Sequence, residues 1–272
     1  MGTGISRSTA RIVLVALSVV SLGVVAALLA SPSRSAAPPR SVSWSLTEPL
    51  VVANLPVDLC ATSYGAPESR SDALPSHQLA LVASRLWRSL VMYADGLGTL
   101  YVLGPKGWSC TALDAVDGAS TLVVFPPGEP RPSTGDLTAV RTGIVATQTG
   151  GCAGCSLETA CPLFRAASLR YAAAYGVHCR QIGAAERRQT PSPSRVLFVD
   201  PPGVLGAGRP SGGADAAYGA MLWHLPGDPR STAWLDTCTL PDAQRTVCVL
   251  SVHAFLARHP DAATTRGPRQ SR

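Results

Sequence analysis

Lysine is almost missing from this 272-residue chain: Lys106 is the only one, and every other basic side chain apart from histidine is arginine. Charge of either sign is scarce at 15%, and aromatic residues make up 6%. With 46% hydrophobic residues, such a composition excludes both a disordered chain of high net charge and a coiled coil rich in Ala, Glu, Lys and Leu. No internal repeat, G-x-G-x-x-G loop or Gly-x-Ser-x-Gly elbow occurs. The formal charge of +6 would suggest an anionic partner, but its location argues otherwise. Residues 1–40 hold Arg7, Arg11, Arg34 and Arg40 without an acid, and the tail from Arg258 holds four arginines against Asp261. Residues 41–257 carry 15 cations against 16 anions. A groove that follows phosphates needs cations clustered on the domain, so nucleic acid is not an expected partner.

What the chain does have at its start is an address. Two arginines and no acid in residues 1–11 precede an unbroken apolar run of 19 residues, Ile12 to Ala30. Cleavable signals carry about 7–15 apolar residues and spanning helices roughly 17–25, so the length suits an anchor. The cleavage sites on offer are Ser33-Arg34-Ser35 and Ser35-Ala36-Ala37, the latter followed by an unfavourable Pro38. Both a signal peptide and a retained transmembrane anchor stay open. Either places the chain from about residue 41 outside the cytoplasm, secreted or held in the membrane. Residues 31–41, with three prolines and several serines, read as a linker, residues 42–257 as one extracytoplasmic domain, and residues 258–272 as a basic disordered tail.

All eight cysteines follow the apolar run: Cys60, Cys110, Cys152, Cys155, Cys161, Cys179, Cys238 and Cys248. An even number in an exported chain predicts disulfides. Their clustering suggests Cys60 with Cys110, the middle four among themselves, and Cys238 with Cys248.

Short apolar runs alternate with Pro- and Gly-rich turns, which predicts a β-rich α+β domain with about three helices. Strands are expected at 50–53, 90–93, 100–103, 108–111, 121–125, 143–147, 196–199 and 220–224. Gly104-Pro105-Lys106-Gly107 reads as a type I turn, and Asp117-Gly118 as a tight hairpin. Helices are expected at 76–88, where Leu79, Val82 and Leu86 share a face, and at 162–175, starting on Pro162 with Phe164, Ala167, Tyr171 and Ala174 aligned and Gly176 at the end. A third follows Asp242 as cap, with Val247, Leu250, Ala254 and Ala257 on one side. Residues 186–195 read as a loop.

Cys152-Ala153-Gly154-Cys155 before a helix is the sharpest motif, because a Cys-x-x-Cys pair there lowers a thiol pKa and permits disulfide exchange. Cys161 and Cys179 offer both cysteines structural partners, and the flanking Gly150 and Gly151 lack the aromatic neighbour of thioredoxins. A zinc set of the same four thiols, with His178, is disfavoured by the 17 residues between Cys161 and Cys179. The loop from Asp200 to Gly213 follows a strand, and its glycines suggest special backbone geometry beside a small polar ligand. A hydrolase triad could draw on Ser109 or Ser211, His224 or His253, and Asp200 or Asp236, yet no spacing selects three of them. His253 in its apolar helix reads as a hydrogen-bonded, partly buried histidine, and His77 and His259 as exposed. Lys106 beside Trp108, together with Ser211, forms the candidate ligand-binding set. No cofactor or metal is expected.

Several strings together resemble a family of uncharacterised secreted proteins of actinobacteria, a domain of unknown function. They are Gly104 through Cys110, the Cys152–Cys155 motif followed by Cys161-Pro162-Leu163-Phe164, the loop 200–213, and Cys238-Thr239-Leu240-Pro241 before a Cys-containing helix. The resemblance spans roughly residues 55–257. It implies an exported single domain stapled by disulfides, with Trp108 and Ser211 on a shared surface, and brings no catalytic residue. The functional expectation is therefore a non-catalytic envelope protein that binds a polar ligand or an envelope protein partner, with an extracytoplasmic hydrolase or a thiol oxidoreductase using Cys152 and Cys155 as the alternative.

Overall fold

The computed structural model describes residues 44, 46, 48–64, 74–132, 140–150, 154–208, 213–224 and 231–259. All belong to one compact unit, Val42–Arg272. The architecture is α+β and β-rich, with two sheets and three helices among the described residues.

Twelve strands follow in chain order: β1 Leu50–Leu59, β2 Ala61–Tyr64, β3 His77–Ala83, β4 Leu90–Ala94, β5 Tyr101–Pro105, β6 Ser109–Asp114, β7 Ser120–Phe125, β8 Gly143–Gln148, β9 Arg187–Ser192, β10 Arg195–Asp200, β11 Ala217–Trp223 and β12 Ala233–Thr239. Helix α1 spans Cys155–Ala160, α2 Arg165–Ala172 and α3 Arg245–Arg258. The small sheet runs β3-β1-β4-β5, and the large one β2-β6-β7-β8-β12-β11-β10-β9. Pairing is antiparallel except for β1 with β4 and β2 with β6.

The chain passes from the small sheet to the large one at Cys60, between β1 and β2, and the Cys60–Cys110 disulfide fastens that crossing to β6. A second bond, Cys238–Cys248, fixes α3 to β12. The third, Cys161–Cys179, ties the turn after α1 to the chain after α2. Cys155 is also oxidised. The middle cysteines therefore do not pair as Cys152 and Cys155 with Cys161 and Cys179, because those last two bond each other.

Strand periodicity explains the layers. In β10, Leu197 and Val199 point into the main core while Val196 and Phe198 point to the other face. The main core fills with residues from both sheets and α3, including Leu122, Ile144, Leu222 and Phe255. The opposite face of β10 and β11 is capped by Leu157, Ala160 and Phe164, whose ring meets Trp223 edge-on at 5.8 Å between centroids. Covered on both sides, β11 is buried along its whole length.

Every predicted strand overlaps one of these elements, with Leu100, Trp108 and His224 one residue outside; larger differences lie elsewhere. Residues 77–83 form β3 instead of a helix, with a single 3-10 turn, Trp87–Ser89, after it. Leu79 and Val82 share a helical face but fall on opposite sides of the strand, Leu79 exposed and Val82 buried, and pairing with β1 decides for the strand. The predicted loop 186–195 contains the hairpin edge β9, where Pro191 sits. Pro162 lies in the turn between α1 and α2 and does not start a helix, and the buried face of α2 is Ser168 and Ala172, leaving Tyr171 exposed. Gly176 does end that segment with φ 64°. Asp242 opens a 3-10 turn and its side chain caps nothing, while Ala257 is exposed. The β5–β6 turn is centred on Lys106 and Gly107, with φ 83° at Gly107 in its third position, as type II turns require instead of type I.

Gly219 in β11 lies against the Phe198 ring, and a Cβ there would stand 2.2 Å from it. Gly219→Ala is expected to cost about 1–3 kcal/mol by overpacking. Urea unfolding checks this, and adding Phe198→Leu should recover part of the loss.

Candidate functional site

The face of the large sheet away from the main core carries a groove. Its floor is made by alternate residues of two paired strands: Gly143, Val145 and Thr147 of β8, with Thr149 just beyond, against Leu235, Thr237 and Thr239 of β12. In register, Val145 faces Thr237 and Thr147 faces Leu235. Thr159 of α1 forms one wall, and Ala207 with Gly208 from the segment after β10 forms another. The cavity measures about 290 Å³, and the described residues that line it include five threonines and no charged side chain.

Backbone groups orient two of these hydroxyls. Thr149 Oγ1 accepts from the Ala233 N–H at 2.8 Å and donates to the Ala233 carbonyl at 3.2 Å. Thr237 Oγ1 donates to the Val145 carbonyl at 3.3 Å. A surface of methyl groups with fixed hydroxyls suits a small uncharged ligand whose own polar groups are hydroxyls or amides.

The Ala207–Gly208 wall is held from below by carboxyl groups. Asp200 Oδ2 accepts from the Gly208 N–H at 2.9 Å, and Glu186 Oε2 accepts from the Ala207 N–H at 2.7 Å. Glycine is required at 206 and 208 for close approach: a Cβ would stand 1.8 Å from Asp200 Oδ1 at the first and 2.9 Å from the Phe198 ring at the second. Burial, and the Glu186 carboxyl facing it, push Asp200 up to about 8.

Asp200 is therefore a support beneath the wall, covered by Gly206, and no catalytic triad forms among the described residues. Asp200 pairs with Ala217 at one end of the β10–β11 ladder, while His224 lies beyond Trp223 at the other. His224 packs edge-on against Trp234 with ring centroids 4.7 Å apart. Asp236, opposite Ala146 and Ala220, points into the main core on the far face. Ser109 is exposed in β6, and Ser211 and Cys152 lie outside the described residues. His253 is exposed, with Nε2 3.4 Å from the Trp44 carbonyl, and not partly buried as its helix suggested. His259 is half-buried instead of exposed, and its ring meets Phe255 and Trp234. The predicted zinc alternative loses two of its thiols to the Cys161–Cys179 bond.

Comparison with protein-family models, with curated proteins and with solved structures finds nothing that matches this chain. The site rests on its own geometry.

Lys106 and Trp108 sit together at the β5–β6 turn and do not line the groove. Lys106 is exposed, and its N–H donates to the Ser89 carbonyl at 2.8 Å. Half-buried Trp108 donates its N–H to Tyr93 Oη at 3.0 Å, and that hydroxyl donates to the Pro105 carbonyl at 2.6 Å. Burial pushes the Tyr93 phenol up to about 12. The groove itself was not anticipated. Its only sequence trace is that Val145-Ala146-Thr147-Gln148-Thr149 and Leu235-Asp236-Thr237-Cys238-Thr239 share one alternation.

Four buried carboxyls, Asp95, Asp114, Asp200 and Asp236, are raised by burial and give stability a definite pH dependence. Asp236 is fully buried with neither oxygen hydrogen-bonded among the described residues, and burial raises it to about 8. Asp95, buried beside Asp114, is raised to about 7, again mainly by burial. Each stays protonated in the folded state where the unfolded chain has lost its proton, so stability falls as pH rises toward these values. His259 works in the opposite sense, because burial lowers it to about 4 and stability is lost as pH falls below its unfolded value of 6.5. Between pH 6.5 and 8 only the carboxyl contribution remains. Urea midpoints should therefore drop across that window, and Asp236→Asn should remove up to about 1.4 kcal/mol per pH unit of the slope.

Proposed function

We propose that this chain is an exported or membrane-tethered cell-envelope protein whose domain binds a small, uncharged, hydroxyl-rich ligand in the β8–β12 groove without transforming it. The observation that carries the reading is the groove's lining: five threonines, aliphatic side chains and glycine, with no ionisable group among the described residues that line it. Acid–base or nucleophilic chemistry requires such a group within hydrogen-bond reach of the reacting atoms. The volume of about 290 Å³ suits a ligand the size of a monosaccharide. The extracytoplasmic location is supported by the disulfides, which persist in oxidising compartments, and by the arginine-flanked apolar run ahead of the domain. Among the described residues no helix is long and apolar enough to cross a membrane; the run Ile12 to Ala30 lies outside them.

Thermal unfolding with neutral sugars, glucose and N-acetylglucosamine first, tests the groove. A true ligand at about 100 times its Kd adds about 2.7 kcal/mol, which raises Tm by about 5–10 °C. Thr237→Phe, which fills the floor, should abolish the shift; a shift that survives it, or none with any neutral sugar or amide, overturns the assignment.

A second reading, thiol–disulfide exchange, is favoured by one observation. Cys155 is oxidised and half-exposed, and the three assigned bonds leave Cys152 as the one other cysteine of the chain. Graded glutathione buffers followed by alkylation mapping decide it. A structural role predicts that Cys155 stays oxidised at poises down to about −300 mV, whereas an exchange site opens near −200 mV while the other three bonds persist.

A further inference from the structure

The antiparallel β1–β3 pair turns a second apolar surface to solvent. Leu50 and Val52 alternate with core-facing Ala53 and Leu55, and Val52 pairs in register with Leu81 while Asn54 pairs with Leu79. Val52 and Leu79 are each 70% exposed, and Leu81 47%. Nothing among the described residues covers them, although soluble domains seldom leave contiguous aliphatic surface open.

The Leu50 end of this strand pair has a different chemistry. The Ser84 N–H donates to the Pro49 carbonyl, and the 3-10 turn Trp87–Ser89 follows directly, with Trp87 43% exposed and the Arg88 guanidinium 4.9 Å from its ring centroid. Arg85 pairs with Glu48, and the Lys106 N–H bonds to the Ser89 carbonyl, which brings the only lysine of the chain to the same end. Three cations thus surround one acid, beside an exposed tryptophan and exposed aliphatic side chains.

That combination is the chemistry of a membrane–water interface, where tryptophan rings sit at headgroup level, aliphatic side chains dip below and Lys or Arg pairs with lipid phosphates. The position in the chain is equally specific. Leu50 is only 20 residues beyond Ala30, the last residue of the apolar run, and that connection spans at most about 70 Å when fully extended. We infer that the β1–β3 face, with Trp87, Arg88 and Lys106, docks on an anionic phospholipid bilayer and seats the domain on the membrane from which its own N-terminal segment arises. The inference rests on the membrane-adjacent location proposed above. It gives Lys106, which does not line the groove, a partner in a lipid phosphate.

The test uses the whole purified chain reconstituted in vesicles or, where its intact mass shows the N-terminal segment removed, the mature chain mixed with preformed vesicles. Vesicles contain phosphatidylcholine with brominated tails, with and without phosphatidylglycerol, and tryptophan quenching reports contact with the acyl region. Docking predicts quenching that grows with phosphatidylglycerol, weakens with added salt and disappears in Trp87→Phe. Arg88→Ser and Lys106→Ser, both surface changes that leave Tm unaltered, should each lower the docked-to-undocked ratio about fivefold. Equal quenching of wild type and Trp87→Phe, or quenching indifferent to phosphatidylglycerol and to both charge removals, overturns the inference. So does concentration-dependent protection of the Leu79 and Leu81 amides from hydrogen exchange without lipid, which would make this face a contact between two copies. Cell fractionation separately judges the location: a chain found in the cytoplasm defeats the reading above, while the vesicle result still decides whether this face binds lipid.

Discussion

Strands β10 and β11 of the large sheet are covered on both faces, and most other features follow from that constraint. On one side α3 is bound to β12 by Cys238–Cys248 and packs with the small sheet against Leu197, Ala220 and Leu222. On the other, α1 and the turn after it place Leu157, Ala160 and Phe164 on Phe198 and Trp223. Strands β10 and β11 therefore have no solvent face at their middles, and β12 opens only on its groove side, so an acidic side chain on their covered faces goes inside. Asp200 and Asp236 are the result. Asp200 accepts the Gly208 N–H and holds the groove wall, whereas Asp236 has no such role and makes the fold sensitive to pH.

The disulfides stand where the layers would otherwise separate. Cys60–Cys110 closes a span of 50 residues at the crossing between sheets, Cys161–Cys179 one of 18 around α2, and Cys238–Cys248 one of 10 between sheet and helix. On the chain-entropy account, bonds closing such spans contribute about 4, 3 and 3 kcal/mol, through restriction of the unfolded chain. That is a large share of a typical net stability of about 5–15 kcal/mol.

Two surfaces with different chemistry emerge on different sheets. The β8–β12 groove is concave and neutral, with hydroxyls fixed by backbone groups. The β1–β3 face is apolar with a cationic, tryptophan-bearing end. Neither resembles a catalytic centre, and the two candidate residues that looked most like ligand contacts in the sequence, Lys106 and Trp108, belong near the second surface rather than the first.

The amino-acid sequence alone settled what depends on neighbouring residues: eight strand cores, the hairpin turn at Gly118, the helix end at Gly176, and the pairing of Cys60 with Cys110 and Cys238 with Cys248, whose grouping along the chain left few options. It misled where helical spacing arose by chance from residues on opposite faces of a strand, as at Leu79 and Val82, or where a polar edge strand such as β9 has no buried face to mark it. The groove was hidden for a further reason. Thr147 and Thr237 lie 90 residues apart, and nothing in either strand says that β8 and β12 are neighbours in one register with their threonines on the same side. Which apolar face is covered and which is left to solvent was likewise decided only in three dimensions, because burial belongs to the packing of layers, and local composition records the apolar residues without recording what lies against them.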